Sequence, residues 1–218
     1  MKDKYKLTQE ENRFVAAKNL VNMVYSNSKF EGVAATLAQT QTIINGMSVS
    51  GISIDDVEVI VDLKNAFSYI IEHDEPYTLK TSQALNRIVS KNDGMYPGEI
   101  RTGNVEIGGM DFVPGIPNVY EMQKQITELM MSDLTLTEKS LRLMYEMMRA
   151  QLFWDGNKRT AIIAANYLLI NGGGGIINIS INQLEKFNTL LRNFYTTGQL
   201  DELLQWTYDD CIYGIDYD

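Results

Sequence analysis

The chain has 218 residues, of which 44% are hydrophobic and 22% charged, a composition typical of a folded protein with one domain and a substantial core. Its formal net charge of −9 argues against a nucleic-acid or anionic-membrane surface, since both recruit clustered lysine and arginine. One cysteine, Cys211, and one histidine, His73, exclude a disulfide framework and any metal site built from several Cys or His side chains. The first residues lack the apolar core of a signal peptide, and no apolar run approaches ~18 residues, so we expect a cytoplasmic protein.

Helical periodicity covers most of the chain. Thr8 and Glu11 form a capping-box pattern at the start of a first helix that runs to the segment SNSKFEG. Six more helices are predicted in chain order: one opening at Ser53, a short one around Leu85 to Val89, one opening at Asn118, one capped by Thr135 and Glu138, one from about 157 to 170, and one over about 182 to 195. The helix from about 157 to 170 is apolar on nearly every side, so we expect it at the centre of the molecule.

The segment EIRTGNVEIGG departs from the helical pattern. Ile100 to Thr102 and Val105 to Ile107 are strand-like runs around Gly103-Asn104, a two-residue hairpin signal. A lone hairpin on a helical domain is marginal by itself. It is therefore either a connector or a flap over a site.

The run QLFWDGNKRT, residues 151 to 160, has the chemistry of an anion site. It offers a carboxylate, a glycine that allows close backbone approach, and several donors, on Asp155, Gly156, Asn157, Lys158 and Arg159. The predicted buried helix follows directly, so these residues lie at a helix N-terminus, where unpaired N–H groups and the positive dipole end attract anions. A solvated, well-capped helix start is the alternative interpretation. Gln151 stands where a transfer site would need a proton acceptor.

The same run resembles the signature of Fic-domain proteins, H-x-F-x-[DE]-G-N-x-R-x-x-R. Three other stretches agree with that family in order and spacing: NSKFEG, INGMSVSGISIDDVEVIVDLKNAFSYI and PGEIRTGNVEIGG. The likeness covers roughly residues 10 to 195. It implies an all-α, Fic-type helical domain with a small β-hairpin flap. This single domain would span 1–218, with an inhibitory-like helix at about 8–35, a Fic core at about 53–195 and a helical tail at 196–218.

The resemblance also implies an activity. Fic proteins typically transfer AMP from ATP to a hydroxyl side chain of a target protein, and some move other phosphate-containing groups. The implied cofactors are ATP or another nucleotide and Mg²⁺, and the implied partner is a target protein rather than a nucleic acid or a membrane. Carried over by position, the resemblance implies that Asp155 holds Mg²⁺ and that Arg159 neutralises charge. The anion cradle would be formed by Gly156, Asn157 and Lys158, and Phe153 would anchor the loop. An extended target segment would pair with the flap at Thr102, Asn104 and Val105.

Two positions depart from the family pattern. The family's histidine, the general base that takes the proton from the target hydroxyl, is Gln151 here. A neutral amide has no usable proton affinity near pH 7, and losing a general base typically lowers the rate by ~10²–10⁴. The family's second arginine is Ile162, and Lys158 would take over part of its task. His73 lies in the acidic stretch IEHDE outside the motif, so we expect a surface residue rather than a substitute base.

A regulatory glutamate is implied near the N-terminus. The family's inhibitory helix carries [ST]-x-x-x-E-[GN], in which the glutamate pairs with the second arginine and blocks productive ATP binding. Asn27 to Gly32 fits this pattern except that Asn27 replaces the hydroxyl residue, so Glu31 would be the inhibitory glutamate. Ile162 cannot pair with it. Either Glu31 pairs with Lys158 or Arg159, or the switch has decayed.

Three functional hypotheses follow from these residues. The first is a Fic-type adenylyltransferase whose activity is attenuated or altered by Gln151. The second is a catalytically silent relative that binds a nucleotide or a protein through the same pocket and flap. The third is a transferase whose target or substrate supplies its own base.

Overall fold

The protein is built almost entirely of helices. The computed structural model describes residues 1–108, 110 and 112–217. Within them the α-helices are α1 (Gln9–Ser28), α2 (Leu37–Ile44), α3 (Ile54–Glu72), α4 (Leu79–Val89), α5 (Val119–Met131), α6 (Leu136–Ala150), α7 (Asn157–Gly172), α8 (Leu184–Thr197) and α9 (Asp201–Asp210). Two short 3₁₀ turns lie at Lys29–Glu31 and Ile181–Gln183. The predicted all-α class is confirmed.

Side-chain caps fix where several helices begin. Thr8, Thr36, Ser53, Asn118 and Thr135 each accept a hydrogen bond from the backbone N–H three residues later. Such caps satisfy N–H groups that have no partner inside the helix, and each typically contributes ~1 kcal/mol. Short polar residues therefore mark most of the helix starts that the sequence predicts.

The central position of α7 is confirmed. Nearly all of its residues are buried, and it packs against α1, α3, α4 and α6. Burying one large aliphatic side chain contributes ~1.5–3 kcal/mol, so this helix supplies much of the core. The first turn of α7 is consequently held in a fixed position by helices on several sides.

The one small sheet in the described part of the chain lies away from the predicted hairpin. Strands β1 (Ile176–Ile177) and β2 (Ile212–Tyr213) pair antiparallel, with Ile177 opposite Ile212. Asn166 of α7 extends this pairing, because its amide both donates to the Ile177 carbonyl and accepts from the Ile177 N–H.

The predicted strand pairing around Gly103-Asn104 is wrong. Residues 101–107 form an extended loop without a ladder, and the nearest β contact is an isolated antiparallel bridge between Ile100 and Phe153. The Gly-Asn pair matches a hairpin turn locally, but the segment docks on the motif loop instead of folding back on itself. Gly109 of the same run lies outside the described residues. We call residues 99–107 the flap.

Two helices and one boundary were not predicted as such. The short α2 was missed, α9 was expected only as part of a helical tail, and α4 begins earlier than its apolar stripe indicated. Short helices supply few periodic positions, so their pattern is weak. Among the described residues, none of the helices combines the length and apolar character that crossing a bilayer requires.

Candidate functional site

The loop between α6 and α7 is closed by the side chain of Asn157. Its amide oxygen accepts from the Phe153 N–H at 2.9 Å, and its amide nitrogen donates to the Phe153 carbonyl at 2.8 Å. Phe153 is 1% exposed, which confirms the predicted buried anchor. Both the oxygen and the nitrogen of the Asn157 side-chain amide form hydrogen bonds within the loop, so this side chain fixes the loop's shape.

The N-terminus of α7 carries no side-chain cap. Gly156 precedes it in the left-handed region (φ 69°), and no acidic residue lies in the first turn. A Cβ at this position would lie 3.3 Å from both Asn86 and Ser90, so the loop is also tightly packed there. The helix thus begins with unpaired N–H groups and a positive dipole end, the arrangement that binds anions.

Arg159 is fully buried and surrounded by acceptors. Its Nε lies 2.7 Å from Glu31 and one terminal nitrogen lies 2.8 Å from Asp93, while the other donates to the Val89 carbonyl at 3.1 Å. Neither carboxylate lies along an N–H direction, so both contacts are ion pairs rather than aligned hydrogen bonds. Of the alternatives that the sequence left open, the structure selects pairing of Glu31 with Arg159. All three guanidinium nitrogens are engaged.

The loop that carries Asp93 is itself anchored in the core. Asn92 donates from its amide to both carboxylate oxygens of Asp62 at 3.0 Å, and its backbone N–H donates to the same carboxylate. Asp62 is almost fully buried, and this burial raises its pKa despite the hydrogen bonds from Asn92. The hydrogen bonds between Asn92 and Asp62 therefore hold the neighbouring Asp93 in position beside Arg159.

Glu31 belongs to the short 3₁₀ turn after α1, Lys29–Glu31, which we call the Glu31 turn. Phe30 of this turn packs edge-on against Phe187 with ring centroids 5.4 Å apart. The ammonium of Lys158 lies 5.9 Å from the centre of the Phe30 ring. The turn therefore covers the start of α7 with both a carboxylate and an aromatic ring.

Asp155 is the exposed carboxylate of the motif. Its side chain is 49% exposed, one oxygen accepts from the Gly156 N–H at 2.6 Å, and the same oxygen lies 3.9 Å from Arg159. No group of three or more His, Cys, Asp or Glu side chains suited to a metal occurs in the described ranges. A single carboxylate beside an anion site fits Mg²⁺ that is held jointly with phosphates, which is the usual arrangement for this ion.

Gln151 ends α6 in a left-handed conformation, with φ 46°. Its amide nitrogen donates to the Met148 carbonyl at 2.6 Å. This bond fixes the orientation of the amide, because the opposite orientation would place two oxygens against each other. The first position of the motif thus carries a neutral, oriented amide.

Arg101 holds the base of the flap, and sequence reasoning missed it. It is fully buried, and its guanidinium donates to five backbone carbonyls, those of Gly103, Pro114, Gly115, Ala150 and Gln151. Its backbone N–H donates to the Leu152 carbonyl at 3.0 Å. Burial lowers the pKa of the Arg101 guanidinium, which nevertheless stays charged because arginine starts so high. An arginine within a predicted strand-like run gave no signal of this role.

The flap lies over the motif loop. Gly103 packs against the ring of Trp154, and a Cβ there would lie only 2.7 Å from that ring. Thr102 and Asn104 are exposed, whereas Val105 is half-buried and lines the pocket beside the motif. The three residues predicted to dock a target thus lie at the edge of the site.

These elements enclose one pocket of about 240 Å³. Its walls are the Glu31 turn, the flap and the motif, and they include Phe30, Glu31, Val105, Gln151, Asp155, Gly156, Asn157, Lys158 and Tyr195. Ligand pockets usually measure ~300–1,000 Å³, so this pocket is smaller than the usual range. A larger apolar cavity of about 690 Å³ lies between α5, α6 and the loop before α5, but the charged motif residues line only the smaller one. We therefore take the smaller pocket as the candidate site.

His73 lies elsewhere. It ends α3, where its ring stacks on Tyr69 with centroids 3.9 Å apart and its Nδ1 lies 2.9 Å from the Tyr69 carbonyl. It is not among the residues that line the pocket. The one histidine of the sequence therefore lies apart from the residues that line this pocket.

The sequence and fold both resemble known proteins. A model of the Fic/DOC family matches residues 76–169. A protein adenylyltransferase, fic-1 of Caenorhabditis elegans, is 29% identical over 162 residues, which cover 69% of this chain and 32% of that protein. The protein adenylyltransferase Fic of Drosophila melanogaster is 28% identical over 178 residues, covering 78% of this chain and 36% of that protein. This chain thus spans about a third of the length of these relatives.

Solved structures share the fold. A fragment of Fic-1 from C. elegans superimposes with a TM-score of 0.75 at 22% identity, covering 87% of this chain and 59% of that one. A Fic-domain-containing signaling protein from Bacteroides thetaiotaomicron gives a TM-score of 0.75 at 21% identity, covering 92% and 84%. Both likenesses extend well beyond the segment that the family model matches.

Proposed function

Because this chain belongs to the Fic/DOC family, we propose that it binds a nucleotide at the start of α7 and transfers AMP from ATP to hydroxyl side chains of a target protein. The curated relatives that it resembles are protein adenylyltransferases. Transfer would be attenuated by Gln151 and blocked, in the conformation described, by the ion pair between Glu31 and Arg159. The nucleotide would be ATP or a related one, with Mg²⁺.

The observation that carries this proposal is the uncapped N-terminus of α7 inside the pocket. Gly156 leaves its N–H groups without a side-chain partner, and Lys158 adds a positive charge on the same wall. Such a helix start binds phosphate groups through both hydrogen bonds and the helix dipole. The alternative interpretation, a solvated helix start, does not explain why the flap and the Glu31 turn enclose the start of α7.

Asp155 is the residue that would hold Mg²⁺. Its exposed carboxylate lies next to the helix start, so one ion could contact both this side chain and bound phosphates. When bound there, Mg²⁺ would neutralise charge on the phosphates during transfer. The chain's own part is to orient that carboxylate, which the Gly156 N–H does through its 2.6 Å hydrogen bond.

The Glu31 turn would act as a removable block. With Glu31 and Asp93 on its guanidinium, Arg159 has no nitrogen free for a phosphate. Asp93 is anchored through its neighbour Asn92, whereas Glu31 lies on a short turn that ends at Gly32, so Glu31 is the partner that would leave. Departure of this turn would also enlarge the pocket.

A second candidate function is a catalytically silent binding module, and Gln151 is the observation that favours it. Attack by a hydroxyl on a phosphate requires the hydroxyl proton to leave, and an amide cannot accept it. Retention of the anion site with loss of the base would leave nucleotide binding without transfer.

Labelled-AMP incorporation into the protein itself separates the two functions. We expect Glu31→Gly to transfer slowly, and Glu31→Gly with Gln151→His to transfer ~10²-fold faster or more, because a general base contributes ~10²–10⁴. Adding Asp155→Ala to the double variant should abolish the gain. If the double variant binds ATP and Mg²⁺ by calorimetry but still incorporates no label, the protein is a binding module. If no nucleotide binds, both proposals are wrong.

A further inference from the structure

The larger cavity lies apart from the motif, between α5, α6 and the loop before α5. We call it the α5–α6 cavity. Its volume of about 690 Å³ falls within the ~300–1,000 Å³ that small-molecule sites usually occupy. Ile126 is the one buried residue of α5, so this helix stands off from α6 and leaves the space open. None of the described residues that line this cavity also lines the pocket at the motif.

The wall of the α5–α6 cavity is mostly apolar. Its side chains come from the loop before α5, from α5 and from α6, and they include Phe112, Met122, Ile126, Leu129, Leu143 and Met147. Small-molecule sites are typically lined by hydrophobic side chains with a few well-placed polar groups. Contact with a hydrocarbon removes apolar surface of both partners from water, which is favourable. The wall therefore matches the hydrocarbon part of a ligand.

Arg149 brings a positive charge to this wall from the last turn of α6. Its guanidinium carbon lies 4.9 Å from the centre of the Phe112 ring and 5.6 Å from the centre of the Phe194 ring. Its Nε and one terminal nitrogen both donate to the Tyr195 carbonyl, at 3.4 and 3.3 Å. The two rings and the carbonyl therefore hold the guanidinium in place.

The contacts of Arg149 leave one edge of the guanidinium unused. Arginine has five N–H groups in a planar fork. Nε and the adjacent terminal nitrogen direct two of them at a single oxygen, that of Tyr195. The other edge, formed by the two terminal nitrogens, donates to no residue in the described part of the chain. Such an edge matches a carboxylate, which accepts two parallel N–H bonds.

The other charged groups in the wall do not compensate Arg149. Arg142 forms its own ion pair with Glu138 at 2.9 Å. Glu146 lies on the same helix but is exposed, so water and salt screen its carboxylate. Within the described ranges, Arg149 itself is in no ion pair. Because it is half-buried, its charge is screened less than that of Glu146, and the cavity attracts an anion.

We propose that the α5–α6 cavity binds a small amphipathic carboxylate, with its carboxylate on the unused edge of Arg149 and its hydrocarbon body against α5 and α6. The charge of Arg149 selects the anion, and the apolar wall selects the hydrocarbon chain or ring. This inference goes beyond the proposed function and does not depend on it, because the two sites share no described residue.

Three eight-carbon probes that differ only in their polar head test the proposal. Calorimetry on the full chain would measure the affinities for octanoate, 1-octanol and octylammonium. Octanoate should bind at least ~10-fold more tightly than 1-octanol, the range of a hydrogen bond to a charged group. Octylammonium should bind no more tightly than 1-octanol. Equal affinities for octanoate and 1-octanol, a preference for octylammonium, or no binding of octanoate would each overturn the proposal.

Arg149→Met removes the charge while keeping an unbranched side chain. It should lower the affinity for octanoate to that for 1-octanol and leave the affinity for 1-octanol unchanged. Arg149→Lys keeps a charge but loses the planar fork, so it should retain part of the preference for octanoate. Arg192→Met is the matched control, because it removes an exposed charge of α8 that does not line the cavity. An undiminished preference for octanoate in Arg149→Met would show that another group binds the carboxylate.

Leu129→Trp tests where the probes bind, because Leu129 is half-buried in the wall and an indole would fill the cavity. This variant should bind neither octanoate nor 1-octanol, whereas Leu129→Met, a change that nearly conserves volume, should bind both. Thermal unfolding checks that both variants are folded. Undiminished binding of octanoate by folded Leu129→Trp would place the ligand elsewhere and overturn the proposal.

The nucleotide site provides a separate readout. In the Glu31→Gly background, Leu129→Trp should leave the affinity for ATP with Mg²⁺ unchanged, since Leu129 does not line the pocket at the motif. If Glu31→Gly binds ATP but the chain binds no octanoate, the cavity proposal is wrong and the proposed function stands. If octanoate binds as described but no nucleotide does, the proposed function is wrong and the cavity proposal stands.

Discussion

Arg159 has more carboxylates around it than it needs for neutrality. Glu31 and Asp93 both lie within 2.8 Å of its nitrogens, and its side chain is fully buried. Removing the only partner of a buried charge is strongly destabilising, but removing one of two leaves the charge compensated. Asp93 thus allows Glu31 to leave without exposing an unpaired guanidinium to the core.

Glu31→Gln should raise affinity for ATP with Mg²⁺ about tenfold, because a neutral amide holds Arg159 less strongly than a carboxylate does. Glu106→Gln is the matched control, since Glu106 lines the same pocket and the change removes the same charge without touching Arg159. Its gain should stay within about threefold, as expected of a screened exposed charge. Calorimetry measures both. Equal gains would attribute the effect to pocket charge and not to the ion pair.

Arg101 stabilises the site through backbone carbonyls alone. Arg101→Met should lower the free energy of unfolding by about 3 kcal/mol or more, because it leaves several carbonyls without a donor, each at a cost of ~1–3 kcal/mol. Arg192→Met, at an exposed position of α8, should change it by less than about 0.5 kcal/mol. Urea denaturation of both variants gives the comparison. Similar small decreases in the free energy of unfolding for both variants would mean that water replaces Arg101 as the hydrogen-bond donor to these carbonyls.

At the scale of elements, the flap is held at its base and against the motif rather than by a partner strand. Arg101 fixes the base, and Gly103 fits against the Trp154 ring. Beyond these contacts the described flap residues form no ladder, so an extended target segment could pair with the flap backbone. The absence of an internal hairpin makes strand addition easier to accommodate, since no strand must first be displaced.

Val105→Pro should lower automodification of the Glu31→Gly, Gln151→His variant ~10-fold while leaving ATP affinity unchanged, because proline removes one backbone donor from the flap. Val105→Ala keeps that donor and loses only side-chain contact, so it should transfer at close to the parent rate. Labelled-AMP incorporation and calorimetry provide the two readouts. If proline and alanine behave alike, the backbone of the flap does not dock the target segment.

At the scale of the whole molecule, the reactivity of the Cys211 thiol measures how readily the protein unfolds. Cys211 is fully buried between α9 and β2, and burial raises the pKa of its thiol to about 12. Against an ordinary value near ~8.5, this leaves about a thousandfold less thiolate at pH 8. We therefore expect a disulfide reagent to modify the native protein at least ~100-fold more slowly than the urea-unfolded chain. Rapid modification of the native protein would show that the C-terminal strand opens locally.

The sequence correctly predicted the features that depend on residues close together in the chain. Capping residues and helical periodicity located most helices, and the apolar run after the motif identified the central helix α7. The hairpin prediction failed at Gly103-Asn104, because a favourable turn pair does not decide whether the flanking residues pair with each other or dock elsewhere. Here the base of the flap docks on the motif loop through Arg101 and the bridge from Ile100 to Phe153.

The sequence by itself determined the family likeness, the helical class and the presence of Gln151 at the start of the motif, because each depends on short stretches of neighbouring residues. Only the tertiary structure decided which arginine Glu31 meets, which carbonyls Arg101 binds and which tyrosine lies beside Gln151. Those contacts join the Glu31 turn, the flap, the motif and α8, which are far apart in the chain. Local pattern carries no information on such distances, since they are set by how the helices pack around α7.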